Sequence, residues 1–224
     1  VIDECSMVDE AIGVDLLSFG VPVLVLGDPA QLPPVAGGGY FTSDAPDVML
    51  TEVHRQAADD PIIHMSMIVR EGGRLEPGTY GESRVVGRRD IAPEEVLGSD
   101  QVLVGRNATR RSYNTRIREL LDRPGTVPVA GDTLVCLRNE RKRGLLNGSL
   151  WNVDRIRRPG KGGLLRYTVS PQAGESGKQR TLVSIHPSFF EGTAEALPFA
   201  ERRRSDEFDF GYVLTVHKAQ GSQW

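Results

Sequence analysis

The chain has 224 residues, 39% hydrophobic and 25% charged, which excludes wholesale disorder and leaves room for one large core or two small ones. Its two cysteines, Cys5 and Cys136, belong to no C-x-x-C pair, which removes a disulfide framework and a zinc ribbon, and no apolar run approaches the roughly 20 residues of a membrane span. The net charge of −3 hides an asymmetry: residues 1–100 hold 6 Lys+Arg against 18 Asp+Glu, while residues 101–224 hold 21 against 12, the electrostatic bias of a phosphate-backbone binder.

In chain order, Val1-Ile2 reads as the end of an apolar strand that stops on Asp3-Glu4. Residues 6–19 read as a helix with Val8, Ala11, Ile12, Leu16 and Leu17 on one stripe, and Ser6 with Asp9 resembles a capping box. A second strand (Val21, Val23, Leu24, Val25, Leu26) breaks at Gly27-Asp28. Strand, helix, strand implies a right-handed parallel crossover. Ligands of open parallel sheets bind at the carboxyl ends of strands, so both strand ends are expected to face one pocket. Gly37-Gly38-Gly39 marks a loop, and residues 60–70 read as a helix with Pro61 in its first turn. Residues 101–105 form a short strand. Asn107 then caps a helix that turns Tyr113, Ile117, Leu120 and Leu121 inward and ends at Arg123-Pro124-Gly125. From about Val127 the texture changes. Short apolar runs at 133–137, 150–153, 164–169 and 181–185 are separated by Asn147-Gly148, Pro159-Gly160 and Gly162-Gly163, the pattern of a small antiparallel β unit.

The chemistry lies at the first two strand ends. One carboxylate can take Mg²⁺ through its water shell while its neighbour reaches an attacking water, an arrangement suited to nucleoside triphosphate hydrolysis. An acidic pair alone fits the first turn of a helix equally well. The addition of Gly27-Asp28-x-x-Gln31-Leu32-Pro33-Pro34 narrows the choice.

These residues carry a resemblance. Asp3-Glu4-Cys5-Ser6 is similar to motif II, and the segment Gly27 to Val35 to motif III, of superfamily 1B DNA helicases of the RecD and Dda group. Leu50-Thr51-Glu52-Val53-His54-Arg55-Gln56 resembles their motif IV, and Leu214 to Ser222 their motif V. No G-x-x-x-x-G-K-[ST] occurs, so the phosphate-cradling loop is absent from this sequence, and the chain reads as an internal fragment that is inactive alone.

The resemblance implies an α/β fold of P-loop NTPase (RecA-like) parallel sheets in two partial domains, with a small antiparallel β-barrel insert. Residues 1–45 would close the first domain, 46–130 with 206–224 would form the incomplete second, and 131–205 the insert. The function implied is that of an ATP-dependent 5′-to-3′ DNA helicase that couples hydrolysis to translocation on single-stranded DNA and to duplex unwinding. ATP and Mg²⁺ are its cofactors. Asp3 holds the metal, Glu4 activates water, Gln31 senses the γ-phosphate and Arg55 stabilises charge there. Asp28, Gly221 and Gln223 complete the nucleotide contacts, Gln223 standing where many members carry Glu. Pro34, Thr215, His217 and Lys218 are implied on the DNA track. Clustering of Arg141, Lys142 and Arg143 on the first hairpin of the β unit adds a backbone contact by charge alone. The partners expected are single-stranded DNA, duplex junctions and replication or recombination proteins, in a bacterial or phage-infected cytoplasm and away from membranes. Two other readings stay open: the helicase subunit of an exonuclease complex, and a non-catalytic nucleic-acid-binding module. Repair, replication and recombination are not distinguished.

Overall fold

The computed structural model describes residues 1–35, 37–50, 60–172 and 180–222. The chain divides into two units, Val1–Ile91 and Ala92–Trp224.

In the first unit the two apolar segments pair in parallel. Ile2 bridges Val25; its N–H donates to the Leu24 carbonyl at 2.8 Å, and its own carbonyl accepts from Leu26 N–H at 2.8 Å. The connecting helix is shorter than its apolar pattern. Ser6 is buried in a 3-10 turn, Cys5–Met7, and Asp9 itself caps the helix Glu10–Leu17 by accepting from Ile12 N–H at 2.9 Å. The capping box expected at Ser6 therefore does not form. Only Val8 and Leu16 of the expected stripe are half-buried, while Ile12 and Leu17 stay about half exposed. Two strands joined by a single bridge are too narrow a surface to cover a helix face.

A second helix, Pro61–Arg70, matches its expectation: Pro61 sits in the first turn and the Asp60 carboxylate caps Ile62 N–H at 2.7 Å. A two-stranded hairpin follows, β1 (Gly78–Tyr80) with β2 (Ser83–Val85).

The second unit holds two sheets. β3 (Val102–Val104) pairs in parallel with β9 (Val213–Thr215). The helix Asn107–Leu120 follows β3, but its cap position is Arg106, and Asn107 is its first helical residue. Its inward face also differs from expectation. Asn114, Ile117 and Arg118 are buried, whereas Leu120 and Leu121 are 39% and 36% exposed. Polar partners set this rotation. Asn114 pairs through its side-chain amide with the backbone N–H and carbonyl of Val213, at 3.1 and 3.2 Å. Arg118 is drawn inward by buried Asp132 at 3.1 Å.

The antiparallel unit forms as its turns indicate, with strand order β7-β6-β5-β4-β8. Its members are β4 (Thr133–Cys136), β5 (Leu150–Arg157), β6 (Leu165–Pro171), β7 (Thr181–Ile185) and β8 (Phe208–Phe210). Alternation buries Leu134, Trp151, Val153, Tyr167, Val169, Val183, Ile185, Phe208 and Phe210 on one face. Among the described residues the sheet is not closed, so the expected barrel is not confirmed. Its edges touch through one isolated parallel bridge, Ile185 with Asp206, and the two edge strands are only five and three residues long. β8 leads the chain back to the parallel sheet as expected, since β9 follows it directly and pairs with β3, and β8 itself also pairs with β4. Gly211 makes the transition to β9. A Cβ there would lie 2.8 Å from the Leu134 carbonyl carbon, so only glycine lets the strands pass this closely. Among the described residues, no helix is long and apolar enough to cross a membrane.

Candidate functional site

The parallel pairing in the first unit sets Asp3-Glu4 beside Gly27-Asp28. Past Ile2 the chain leaves the strand through Glu4, whose φ of 54° and ψ of 45° are left-handed. Few non-glycine residues adopt this region, and they concentrate at functional sites. The Asp3 carboxylate accepts from Glu4 N–H at 2.9 Å, and Cys5 N–H rejoins the second strand at the Leu26 carbonyl, 3.1 Å away. Asp3 and Glu4 are exposed, and Cys5 beneath them is buried. A Cβ on Gly27 would lie 2.5 Å from the Cys5 sulfur, so the two motifs are packed backbone to side chain. Burial pushes the Cys5 thiol up, and the Glu4 and Asp3 charges add to that, so the thiol stays neutral between the carboxylates and the core.

Beyond Gly27 the chain turns. Asp28 accepts from Ala30 N–H at 2.9 Å, and its carbonyl accepts from Gln31 N–H at 3.1 Å, leaving the Gln31 side chain exposed and Pro34 half-buried. Asp28 has a partner that sequence reasoning missed. Arg70, at the end of the second helix, grips its carboxylate bidentately at 2.7 and 2.8 Å. That hydrogen-bonded guanidinium holds the Asp28 carboxyl below its ordinary value against a smaller opposing effect of burial. A pairing across 42 residues leaves no local signal. Arg55 and Gln223 lie outside the described residues.

A magnesium ion commonly takes one or two carboxylates, completing its shell with water and substrate phosphate. Asp3 fits that role, because one of its oxygens accepts the Glu4 N–H and the carboxylate is open to solvent at a strand end. Among the described residues, no group of three or more His, Cys, Asp or Glu could hold a metal on its own. A one-carboxylate site does not require such a group.

In the second unit, Thr215 ends β9 and its hydroxyl accepts from Lys218 N–H at 3.4 Å, capping the single turn Val216–Ala219. His217 and Lys218 are half-buried, and Gly221, exposed, has a φ of 76°. Burial and the neighbouring Arg110 lower the Lys218 ammonium, and Cys136 partly offsets them. Lys218 Nζ donates to the Asn147 side-chain carbonyl oxygen. Asn147 lies on the loop between β4 and β5, where its N–H is held by Asn139 at 2.8 Å. The basic turn Arg141–Arg143 belongs to the same loop, closed by the Glu140–Leu145 bridge. Motif V and the basic turn, read from segments about 70 residues apart, are thus tied together. The three basic residues are not equivalent. All three are exposed, but Arg143 also pairs with Asp206 and donates to the Leu182 carbonyl at 3.1 Å.

The chain is similar to known helicases in sequence and in fold. A family model described as an AAA domain matches residues 1–85. The whole chain aligns at 31% identity over 247 residues with the ATP-dependent RecD2 DNA helicase of Deinococcus radiodurans, covering 31% of that protein. The chain thus spans about a third of that curated relative's length. Among solved structures it is similar to the Bacteroides Pif1 helicase in complex with ADP-AlF3 and single-stranded DNA, with a TM-score of 0.54, 16% identity, and coverage of 98% of this chain and 61% of that one. A Pif1 helicase structure concerned with unwinding at forked duplex DNA gives a TM-score of 0.53 at 18% identity, covering 98% of this chain and 59% of that one.

Proposed function

We propose that this chain belongs to the superfamily 1 helicases of the RecD/Pif1 type and carries the hydrolytic carboxylates and part of the DNA track of an ATP-driven 5′-to-3′ DNA helicase, a reading supported by its similarity to RecD2. The observation that carries this reading is the parallel pairing that sets Asp3 and Glu4 beside the Gly27–Gln31 turn. Asp3 would hold Mg²⁺ through its exposed carboxylate, and the ion would supply neutralisation of phosphate charge. Glu4, turned out of the strand, accepts the proton of the attacking water. Gln31 reports the γ-phosphate from the end of the second strand, and Arg55 stabilises the charge that spreads on it. Gly221 and Gln223 approach the nucleotide. Asp28 contributes indirectly, because the Arg70 clamp fixes the turn from which Gln31 projects.

The second unit grips single-stranded DNA. Thr215, His217 and Lys218 with Arg141 and Lys142 form one donor surface, and Pro34, in the first unit, stiffens the segment that follows Gln31 and is assigned to the DNA track as well. The domain division proposed is 1–45, then 46–130 with 206–224, then the β insert at 131–205. We place the protein in the cytoplasm, acting at single strands and duplex junctions alongside replication or recombination proteins.

The test is Glu4→Gln in the full-length protein. The amide keeps the shape and removes the base, so nucleotide affinity should persist while kcat falls about 10²- to 10⁴-fold, the usual contribution of general-base assistance. A near-normal kcat would show that the water is activated elsewhere.

A further inference from the structure

Between β7 and β8 lies an aromatic and basic segment that neither the nucleotide residues nor the basic turn uses. Pro198 precedes a four-residue helical turn, Phe199–Arg202. Spacings of three and four residues put Arg202 and Arg203 on the side of that turn where Phe199 lies. Phe199 is 75% exposed, and the Arg203 guanidinium stands 5.8 Å from its ring centroid. Arg138, from the end of β4, comes to the same place. Glu207, 7% exposed, receives Arg138 at 2.9 Å and Arg202 at 3.1 and 3.0 Å. A single buried carboxylate therefore holds two guanidinium groups in fixed orientation while their side chains remain 43% and 44% exposed. Arg138 is fixed further by the Ser205 carbonyl at 2.9 Å. These residues, with Leu137, line a groove of about 350 Å³. Arg204 adds a fourth cation next to it in sequence, against the carboxylates Glu195, Glu201 and Glu207.

We propose that this groove is a subsite for single-stranded DNA, with a base stacked on Phe199 and the adjoining phosphate on Arg138, Arg202 and Arg203. The proposal rests on the helicase reading above and gives the β insert a stacking position in addition to its charge. Guanidinium forks suit phosphate oxygens, and an exposed aromatic ring accepts any base because every base has a π-face. An acidic peptide would use the arginines and leave the ring idle, so dependence on the base separates the two occupants.

The experiment measures binding of the full-length protein to a fluorescent oligothymidylate and to an abasic deoxyribose-phosphate strand of equal length. Phe199→Ala should weaken oligothymidylate binding roughly 5- to 150-fold, the usual range for one stacked base, and leave the abasic strand unchanged. Phe199→Trp should bind oligothymidylate at least as tightly as the parent, and Arg203→Ala should weaken both strands. Equal oligothymidylate affinity for Phe199→Ala and the parent overturns the subsite and leaves the helicase reading standing. Equal losses on both strands assign the ring a structural role and overturn the stacking. A parent protein that binds neither strand overturns both the subsite and the reading beneath it.

Discussion

Replacing Asp132 with Ala should cost the Ala92–Trp224 unit about 3–5 kcal/mol, the range for stripping one partner from a buried ion pair. The side chains of Asp132 and Arg118 are 0% and 3% exposed. One Asp132 oxygen accepts from Arg118 Nε at 3.2 Å and from the Tyr212 hydroxyl at 2.8 Å, and the other accepts from Val129 N–H at 2.7 Å. The Ala variant strips a part-buried backbone N–H of its acceptor and a buried guanidinium of its counter-charge together. Arg118 keeps the carbonyls of Gly125 and Val127 and stays 4.2 Å from the Phe210 ring centroid, which favours the lower end of the range. A loss near 3 kcal/mol still lowers the folded-to-unfolded ratio more than a hundredfold. Urea unfolding measures this, with Arg116→Ala as the control, because the Arg116–Glu119 pair is 68% and 50% exposed and should contribute under about 0.5 kcal/mol. A second readout is the Tyr212 phenol, pushed up to about 12 first by burial and then by its bond to Asp132. It should move back toward 10 in the variant without reaching it. A loss below about 1 kcal/mol with an unmoved tyrosine titration would refute this account of the network.

The 224-residue chain on its own should release no phosphate from ATP above a Glu4→Gln control, because its sequence contains no phosphate loop or Walker lysine to cradle the β- and γ-phosphates; DNA-stimulated release above that control would defeat this. Reversing Arg141 and Lys142 to Glu in the full-length protein should weaken single-stranded DNA binding and flatten its log–log salt slope by about 1.4, at roughly 0.7 for each of the two phosphate contacts. An unchanged slope would take the basic turn off the DNA path. The Lys218 ammonium, lowered by burial, favours its neutral form in the folded state, so its contribution to stability grows as pH rises through its folded value toward 10.5. Nitrogen-detected NMR should find it titrating below the ordinary lysine range, and a bound oligonucleotide should raise it; a normal value in the free protein would contradict the burial.

Local signals in the sequence located most elements but not every cap. The Asp60-Pro61 helix start, the glycine-rich turns of the β unit and the two apolar segments around Ile2 and Val25 follow from residues within a few positions of each other, whereas the caps expected at Ser6 and Asn107 fall at Asp9 and Arg106. Polar choices across the chain were not legible. Asn114 and Arg118 face inward because Val213 and Asp132 receive them, and no periodicity of Leu120 and Leu121 reveals that. Arg70 with Asp28 and Lys218 with Asn147 are unreadable for the same reason. In the basic cluster, composition could not tell that Arg143, exposed like Arg141 and Lys142, is committed to Asp206. Barrel closure was equally out of reach, since it depends on edge length and register, and strand count alone sets neither.

The left-handed backbone of Glu4 joins the fold to the proposed chemistry. In a continuing strand, consecutive residues point to opposite faces, so Asp3 and Glu4 could not both serve one site at its end. A left-handed residue right after Asp3 breaks that alternation. The cost, on the order of 1–2 kcal/mol for a residue with a Cβ, is one that glycine would avoid. Local bonding offsets it, since Asp3 accepts the Glu4 N–H and Cys5 N–H rejoins the neighbouring strand at Leu26. Because Cys5 is wedged against Gly27, the departure of the chain at Glu4 and the start of the turn that presents Gln31 are fixed by one contact. A glycine at position 4 would relax the turn but could not supply the base proposed for Glu4. A glutamate held there against its backbone preference is the cost that the proposed hydrolytic role would impose on stability.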